Sequence, residues 1–160
     1  MLILRKLTTG IKGISATSCR YTDVVSNLFF MIVYSGWTII RETYSESGED
    51  KKLLDDIIKR IKRRIGELEA HNEFYDLRPL NGEYHLTIKG DHNHRDETII
   101  HFFKWIADIS VGSFGLLYVM DDEDIERGNE NKFKVWRMKK GQVDELDDTF
   151  LSPCNPTIEE

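Results

Sequence analysis

The sequence predicts an α+β fold: a two-layer domain with one mainly antiparallel sheet and two helices packed on one face. Two segments have the 3.6-residue apolar period of amphipathic helices, and several others have the alternating or continuously apolar pattern of strands. The last strand-like segments follow one another through short turns, which join antiparallel neighbours. The resulting order of strand, helix, strand, helix, strand, strand is typical of a two-layer α+β domain.

The first strand and the first helix are expected between residues 32 and 68. Residues 32–40 are rich in β-branched and aromatic side chains, and turn residues follow at 45–48. A helix comes next, because apolar side chains recur at spacings of one, three and four while Lys and Arg occupy the opposite face. Glu49 and Asp50 fall in its expected first turn, where the helix dipole favours acidic groups. The apolar stripe consists of Leu53, Leu54, Ile57, Ile58, Ile61, Ile65 and Leu68.

The second strand and the second helix follow a segment that we interpret as turns, since it contains Pro79 and Asn81-Gly82. Residues 83–88 alternate in polarity, which predicts a half-buried strand with Tyr84, Leu86 and Ile88 on one face. A helix is predicted from about residue 96 to residue 110, ended by Gly112. Its apolar stripe is Ile99, Phe102, Phe103, Ile106 and Ile109, with Trp105 beside it.

Two further strands complete the sheet, and a short last strand can follow them. Residues 114–120 are continuously apolar, as in a central strand that is covered on both sides or packed under a helix. Residues 133–138 alternate cleanly, and Lys140-Gly141 can turn the chain into a short last strand at 142–145.

The 160 residues suffice for one domain, which we place at 31–160. Residues 1–30 are basic, rich in Ser and Thr and without a sustained period, so we predict an N-terminal extension that is not part of the fold. Its composition suits an organelle transit peptide, an upstream extension of the reading frame with the true start at Met31, or an ordinary tail. A secretory signal is disfavoured because residues 8–13 interrupt any apolar centre.

Charge and cysteine content exclude several classes of function. The net charge is −6, and because residues 1–30 hold four basic groups and one acidic group, residues 31–160 carry −9. Such a surface repels a phosphate backbone, so nucleic acid is not an expected partner. No apolar run approaches the roughly 20 residues of a membrane span. Cys19 and Cys154 have no metal or disulfide spacing, which indicates unpaired thiols in a reducing, cytoplasmic compartment.

The strongest local charge feature is an acidic run at the end of the continuously apolar strand. Four adjacent carboxylates repel one another, so the run is solvated, binds a metal, or faces a cationic partner. A calcium loop would alternate its ligands and place Gly at the sixth position, which this run does not do. The run comprises Asp121, Asp122, Glu123 and Asp124, extended by Glu126, with Asp144, Asp147 and Asp148 expected nearby.

No catalytic constellation stands out. His92 and His94 alternate and His101 follows, but no third ligand is fixed by spacing, so a loop that caps the second helix through Asn93 or Asp96 is favoured over a small metal-dependent hydrolase. Ser152-Pro153-Cys154 indicates a fixed tail lying on the domain rather than an activated thiol. Gly112-Ser113-Phe114-Gly115 lacks the lysine of a phosphate loop and is interpreted as a helix-to-strand turn. We therefore predict no catalytic residue, no cofactor and no metal.

Protein binding remains the best-supported class. Aromatic side chains carry much of the energy of protein interfaces, and Trp37 and Trp136 are candidates, although both also fit a core-like period. Trp105 is assigned to the core. The Lys and Arg residues of the first helix, at positions 59, 60, 62, 63 and 64, are interpreted as a solvated face because acidic residues lie alongside them.

Several phrases together resemble a known family. They are Gly112-Ser113-Phe114-Gly115-Leu116-Leu117-Tyr118 leading into Asp121-Asp122-Glu123, preceded by Asn93-His94-Arg95 and Trp105-Ile106-Ala107, together with Gly36-Trp37, Asn81-Gly82 and the ending Phe150-Leu151-Ser152-Pro153-Cys154 through Pro156 to Glu159. In register over residues 31–160, they resemble the immunity protein 7 family of bacterial polymorphic toxin systems. Phe114 stands where that family more often has Tyr.

The resemblance implies a small cytoplasmic α+β protein that binds the toxin domain encoded beside it and blocks it without catalysis. An acidic domain is suited to cover the basic substrate groove of a nuclease. The predicted partner is thus a cognate toxin domain, without nucleic acid or membrane. The predicted partner-binding residues are Asp121, Asp122, Glu123, Asp124, Glu126, Trp37 and Trp136.

Overall fold

A computed structural model describes residues 31–45, 48–68, 73–94 and 96–158. The prediction made for residues 1–30 lies outside this part of the chain. The described elements are β1 (Ile32–Ile40), α1 (Lys51–Leu68), β2 (Phe74–Leu80), β3 (Glu83–His92), α2 (Thr98–Ile109), β4 (Phe114–Asp121), β5 (Phe133–Lys139), β6 (Gln142–Asp147) and the short helical segment α3 (Cys154–Thr157). A single 3₁₀ turn, Ile125–Arg127, lies between β4 and β5.

The six strands form one sheet in the order β2-β3-β1-β4-β5-β6. Every pair of neighbours is antiparallel, and β1 lies at the centre between β3 and β4. The predicted α+β class, with an antiparallel sheet and two long helices, is therefore confirmed.

Among the strands that the structure describes, β2 is the one that the sequence did not predict. It pairs with β3 as an edge strand, and Pro79 sits near its end, where a missing backbone N–H is tolerated. Asn81 and Gly82, with φ values of 52° and 88°, form the two-residue turn between β2 and β3. Two consecutive residues of positive φ are what a type I′ hairpin requires. The segment that the sequence indicated as turns is thus a strand followed by its turn.

Both long helices pack on the same face of the sheet. The α1 residue Leu54 lines a cleft with Ile40 of β1 and Tyr84 of β3, while α2 lies against β5 and β6. The two helices meet where the Arg60 guanidinium lies over the Trp105 ring, 6.0 Å from its centroid. One apolar core results, and its largest fully buried side chains are Tyr34, Phe103, Ile32, Ile40, Ile57, Ile61, Leu86, Ile88, Ile99, Ile106, Leu117 and Met138.

The C-terminal tail lies on the start of β5, as predicted. The Phe133 backbone N–H donates to Ser152 Oγ at 2.8 Å, and the Cys154 N–H donates to the Asn131 carbonyl at 2.9 Å. Cys154 is buried in this contact. The tail is therefore part of the folded domain, and the geometry supports a structural role for Cys154.

Among the described residues, no helix combines the length and the apolar character needed to cross a bilayer.

Candidate protein-binding surface

Within the described residues, the two long helices lie on one face of the sheet only. Along β1, Ile32, Tyr34, Thr38 and Ile40 are buried towards the helices, whereas Trp37, between them, is 45% exposed. Successive side chains of a strand point to opposite faces, so Trp37 lies on the face that the described helices do not cover. We call this the open face.

The centre of the open face is apolar and one flank is polar. Cross-strand partners share a face, and Trp37 pairs with Leu116 of β4 and with Thr87 of β3. The central part consists of Val33, Trp37 and Ile39 of β1, with Ser35 between the first two, and of Phe114, Leu116, Tyr118 and Met120 of β4. Beside it, β3 contributes only polar side chains, namely Glu83, His85, Thr87, Lys89 and Asp91. An apolar centre bordered by polar groups is the usual anatomy of a protein interface.

Trp37 and Phe114 form an oriented aromatic pair in this centre. Their rings are edge-to-face, with centroids 6.3 Å apart and an interplanar angle of 89°. The Arg41 guanidinium lies 5.5 Å from the Phe114 centroid and pairs with the Glu83 carboxylate. The sequence did not indicate that Phe114 is a surface residue. Because β4 is apolar throughout, its pattern does not show which side chains face outward.

The acidic loop, residues 121–130, connects β4 to β5 and contains six acidic residues and one basic residue. Two of its carboxylates hold the loop together. Asp121 is 8% exposed, and its Oδ1 accepts the Glu123 backbone N–H at 3.0 Å. Asp124 accepts from Arg127 Nε at 2.9 Å and from Asn129 Nδ2 at 2.7 Å. The hydrogen bond that Arg127 donates to Asp124 raises the pKa of Arg127 above its ordinary value.

The remaining carboxylates of the acidic loop face outward to different degrees. Asp122 Oδ1 accepts the Met31 backbone N–H at 2.8 Å, and Glu123 Oε1 lies 3.4 Å from His94 Nδ1. Glu126 and Glu130 are exposed and make no hydrogen bond or ion pair within the described ranges. The charge available to a partner therefore comes mainly from Glu123, Glu126 and Glu130. Glu130 was not among the residues singled out from the sequence.

Three nearby aspartates from β6 and the following turn are already engaged. The Arg137 guanidinium, 2.8 Å from Asp144, and the Lys134 ammonium, 2.5 Å from Asp147, lower the pKa values of these carboxyls. Burial would raise the pKa of Asp148, but backbone N–H donors from Leu151 and Phe150 outweigh it and lower the pKa. These carboxylates stabilise the sheet edge and the tail rather than adding free charge to the acidic loop.

Trp136 lies on the opposite face of the sheet from Trp37. It pairs with Leu117, which follows Leu116, the partner of Trp37. Since neighbours along a strand point to opposite faces, the two tryptophans cannot belong to one flat contact surface. Trp136 is half-buried, with Lys104 Nζ of α2 4.5 Å from its ring centroid.

The structure separates the histidines that the sequence places close together. His92 ends β3 and lies 3.1 Å from Glu73, whereas the His94 side chain is 82% exposed beside Glu123. His101 contacts Glu97 on α2 at 3.6 Å. The arrangement needed by a hydrolase that uses both His92 and His94 is thus not formed. As one of the two expected capping residues, Asp96 accepts the Thr98 backbone N–H at the start of α2, at 2.8 Å.

The glycine-containing segment between α2 and β4 is a helix-to-strand turn, as predicted. Ser113 Oγ accepts the Arg41 backbone N–H at 3.0 Å and contacts Ser110 Oγ at 2.8 Å. A Cβ atom on Gly112 would lie 2.1 Å from the Thr43 carbonyl oxygen. The chain packs directly on this turn and leaves no room for a bound phosphate against its backbone.

These features describe an α+β domain with one sheet face that the described helices leave uncovered and with a neighbouring acidic loop, a form suited to protein contact. Comparison with protein families gives a match to the model of Immunity protein 7 over residues 31–160. The chain therefore belongs to the Immunity protein 7 family, whose members are immunity proteins of toxin systems. Searches of curated proteins and of solved structures find no match.

Proposed function

We propose that this protein binds a cognate toxin domain as a stoichiometric inhibitor, with the open face as the centre of the contact. Membership of the Immunity protein 7 family supports a protein partner from a toxin system. The position of the interface is argued from the exposed Trp37–Phe114 pair, which belongs to an apolar strip bordered by polar β3 side chains. Large aromatic side chains near the centre of a contact contribute most of its energy when water is excluded around them.

We also propose that the acidic loop lies in the same interface as Trp37. It begins where β4 leaves the sheet, five residues beyond Leu116, the partner of Trp37. Five residues of strand span about 17 Å, so the tryptophan and the loop fit within one interface of ordinary size. Clustered carboxylates attract a basic partner over a distance and increase the rate of productive encounters.

A toxin domain that acts on nucleic acid fits this charge best. The nuclease surfaces that bind phosphates are rich in Lys and Arg. Residues 31–160 of the present chain carry the opposite charge, −9. We therefore infer that the toxin surface in contact with the acidic loop is basic, and that a cytoplasmic nuclease domain is the leading candidate.

Production of the full chain together with the toxin domain encoded beside its gene tests the function. We expect growth to be restored and the two proteins to co-purify as a complex. Toxicity that persists although both proteins are soluble and abundant would refute the proposal.

Replacement of Trp37 tests the position of the interface. In Trp37→Ala we expect binding to weaken by about 2 kcal/mol, or roughly 30-fold in Kd, because an aromatic side chain that the toxin would bury is removed. The melting temperature should change little, since this side chain is exposed. Isothermal titration of the purified pair measures the effect.

The matched control is Trp136→Phe, on the other face of the sheet. It should bind the toxin domain within about twofold of the unmodified protein, since a flat contact on the open face does not reach Trp136. If Trp136→Phe weakened binding and Trp37→Ala did not, the interface would lie on the helix-covered side instead.

A further inference from the structure

Three side chains from separate elements converge away from the open face. Glu73 immediately precedes β2, His92 ends β3, and Asp96 lies just before α2. One carboxylate oxygen from each acidic residue and one imidazole nitrogen lie within 4.8 Å of one another. One imidazole and two carboxylates are a donor set that divalent transition metals accept.

The Glu73 and His92 atoms that face each other have the surroundings of metal ligands. The Glu73 side chain is completely buried and that of His92 is 17% exposed. Glu73 Oε1 and His92 Nε2 are 3.1 Å apart, yet neither makes a hydrogen bond with acceptable geometry in the described structure. Buried polar atoms without such a bond are rare and costly.

Their separation fits a shared ion. With metal–nitrogen and metal–oxygen bonds of about 2.1 Å, two adjacent ligand atoms on one ion lie about 3.0–3.4 Å apart, from octahedral to tetrahedral angles. The 3.1 Å between Glu73 Oε1 and His92 Nε2 falls in that interval. An ion pair between Glu73 and His92 would also bring these two atoms together. A buried ion pair is stabilised by an aligned hydrogen bond, however, and this pair lacks one.

Neighbouring groups orient the three side chains. The Tyr75 hydroxyl donates to the other Glu73 oxygen at 2.6 Å, and Asp96 Oδ1 accepts from the Thr98 N–H and hydroxyl at 2.8 and 2.6 Å. The Tyr34 ring stands edge-on to His92 with centroids 5.9 Å apart. Hydrogen-bonded carboxylates and fixed imidazoles of this kind surround metal ions in proteins.

We propose that Glu73, His92 and Asp96 bind one Zn²⁺ ion, with water in the remaining position. The sequence predicts no metal here, because Glu73 precedes a strand that was not recognised and belongs to no motif. The ion would join the start of β2, the end of β3 and the start of α2. It is distinct from the hydrolase alternative, since the His94 side chain points elsewhere, beside Glu123.

Zinc titration into the full, tag-free, metal-stripped chain tests the site, with competition against a chromophoric chelator as readout. We expect one equivalent of Zn²⁺ to bind and to raise the melting temperature. His92→Gln should weaken the affinity at least about 10-fold, because even the loss of a group that only orients a ligand has an effect of that size. Asp96→Asn should also weaken it while keeping the oxygen that accepts from Thr98, so this variant reports on the metal without disturbing the start of α2.

His94→Gln is the matched control, because it removes an exposed imidazole two residues away. Its zinc affinity should equal that of the unmodified chain. The proposal is overturned if no equivalent of Zn²⁺ binds, or if folded His92→Gln and Asp96→Asn proteins bind as tightly as the unmodified chain. The proposal is also overturned if His94→Gln loses zinc binding while the other two variants keep it, because the ion would then bind at the exposed His94.

Discussion

Individual residues set how closely the two central strands approach each other. A Cβ atom on Gly115 of β4 would lie 2.2 Å from the Trp37 carbonyl oxygen and 2.6 Å from Thr38 Cα. Both are backbone atoms of β1 and cannot rotate away. Glycine at this position therefore allows the pairing that places Trp37 beside Phe114 on the open face.

Gly115→Ala should lower the free energy of unfolding by about 3 kcal/mol, since the strands must separate to admit the methyl group. Gly66 in α1 is the control, because a Cβ there meets nothing within 4 Å. Gly66→Ala should raise stability by about 0.5–1 kcal/mol through helix propensity. Urea denaturation measures both, and a Gly115→Ala protein as stable as the unmodified chain would show that β1 and β4 are not packed this tightly.

Asp148 holds the C-terminal tail in place by accepting three hydrogen bonds. Its oxygens accept from the N–H groups of Phe150 and Leu151 at 3.2 and 2.7 Å and from the Ser152 hydroxyl at 3.0 Å. Because the folded-state pKa is lowered from 3.8, the unfolded chain takes up the proton first as the pH falls. The stabilisation is complete above 3.8 and is lost as the pH falls through the lower folded-state value.

Asp148→Asn should therefore be about 1–2 kcal/mol less stable at pH 7, where charge-assisted hydrogen bonds are lost. The difference from the unmodified protein should shrink as the pH falls below 3.8. Denaturation at a series of pH values checks this, with the exposed Glu130→Gln as control. A difference that stayed constant down to pH 2 would contradict the assigned role.

The sequence located the acidic run but not the direction of its side chains. Asp121 and Asp124 were predicted to bind a partner, and the structure shows both in hydrogen bonds within the acidic loop. Whether a carboxylate turns inward depends on which backbone N–H groups and amides the turn brings near it, and spacing alone does not specify this. Their part in partner binding stays a prediction.

Helix α1 is fixed at its start by Asp50. The residue immediately precedes Lys51, and its Oδ1 accepts the N–H groups of Lys52 and Leu53 at 2.9 and 3.1 Å. The sequence placed Glu49 and Asp50 in the first turn, whereas the helix begins at Lys51. The physical role is that of an N-cap, which satisfies otherwise unpaired donors.

Asp50→Ala should cost about 1 kcal/mol in unfolding free energy, whereas Asp50→Asn should cost only a few tenths because an amide oxygen can still cap. Thermal or urea unfolding distinguishes the two. Equal stability of the alanine and asparagine variants would mean that the cap does not hold α1.

Most elements could be predicted, because each has a pattern of its own. The stripes of α1 and α2 have a clear helical period, and β1, β3, β4, β5 and β6 combine strand-forming residues with turns. Strand β2 could not be recognised, since Asp76, Arg78 and Pro79 obscure its apolar alternation. Such residues are tolerated at a sheet edge, where one side of the strand has no partner. That omission also concealed the surroundings of Glu73.

We propose that the charge of the protein controls its association with the toxin. The triple variant Glu123→Gln, Glu126→Gln, Glu130→Gln removes the outward charge of the acidic loop and leaves its internal hydrogen bonds through Asp121 and Asp124 intact. Association should slow about 10-fold at low ionic strength, and its dependence on salt should flatten, with little change in dissociation. Stopped-flow mixing with the toxin domain measures both rates.

An equal loss of charge elsewhere separates local from global electrostatics. Glu49→Gln, Asp55→Asn and Asp56→Asn together remove three exposed charges at and near the start of α1. This control should slow association much less. Equal slowing in the two triple variants would mean that only net charge matters and that the acidic loop has no special position at the contact.

We propose that one copy of this protein occupies one toxin domain. The most direct measurement is the residual activity of a fixed amount of toxin domain as increasing amounts of the purified chain are added, at concentrations well above Kd. We predict a linear fall that reaches the baseline at equimolar protein. Activity that persists in excess, or that disappears at a small fraction of an equivalent, would contradict stoichiometric inhibition.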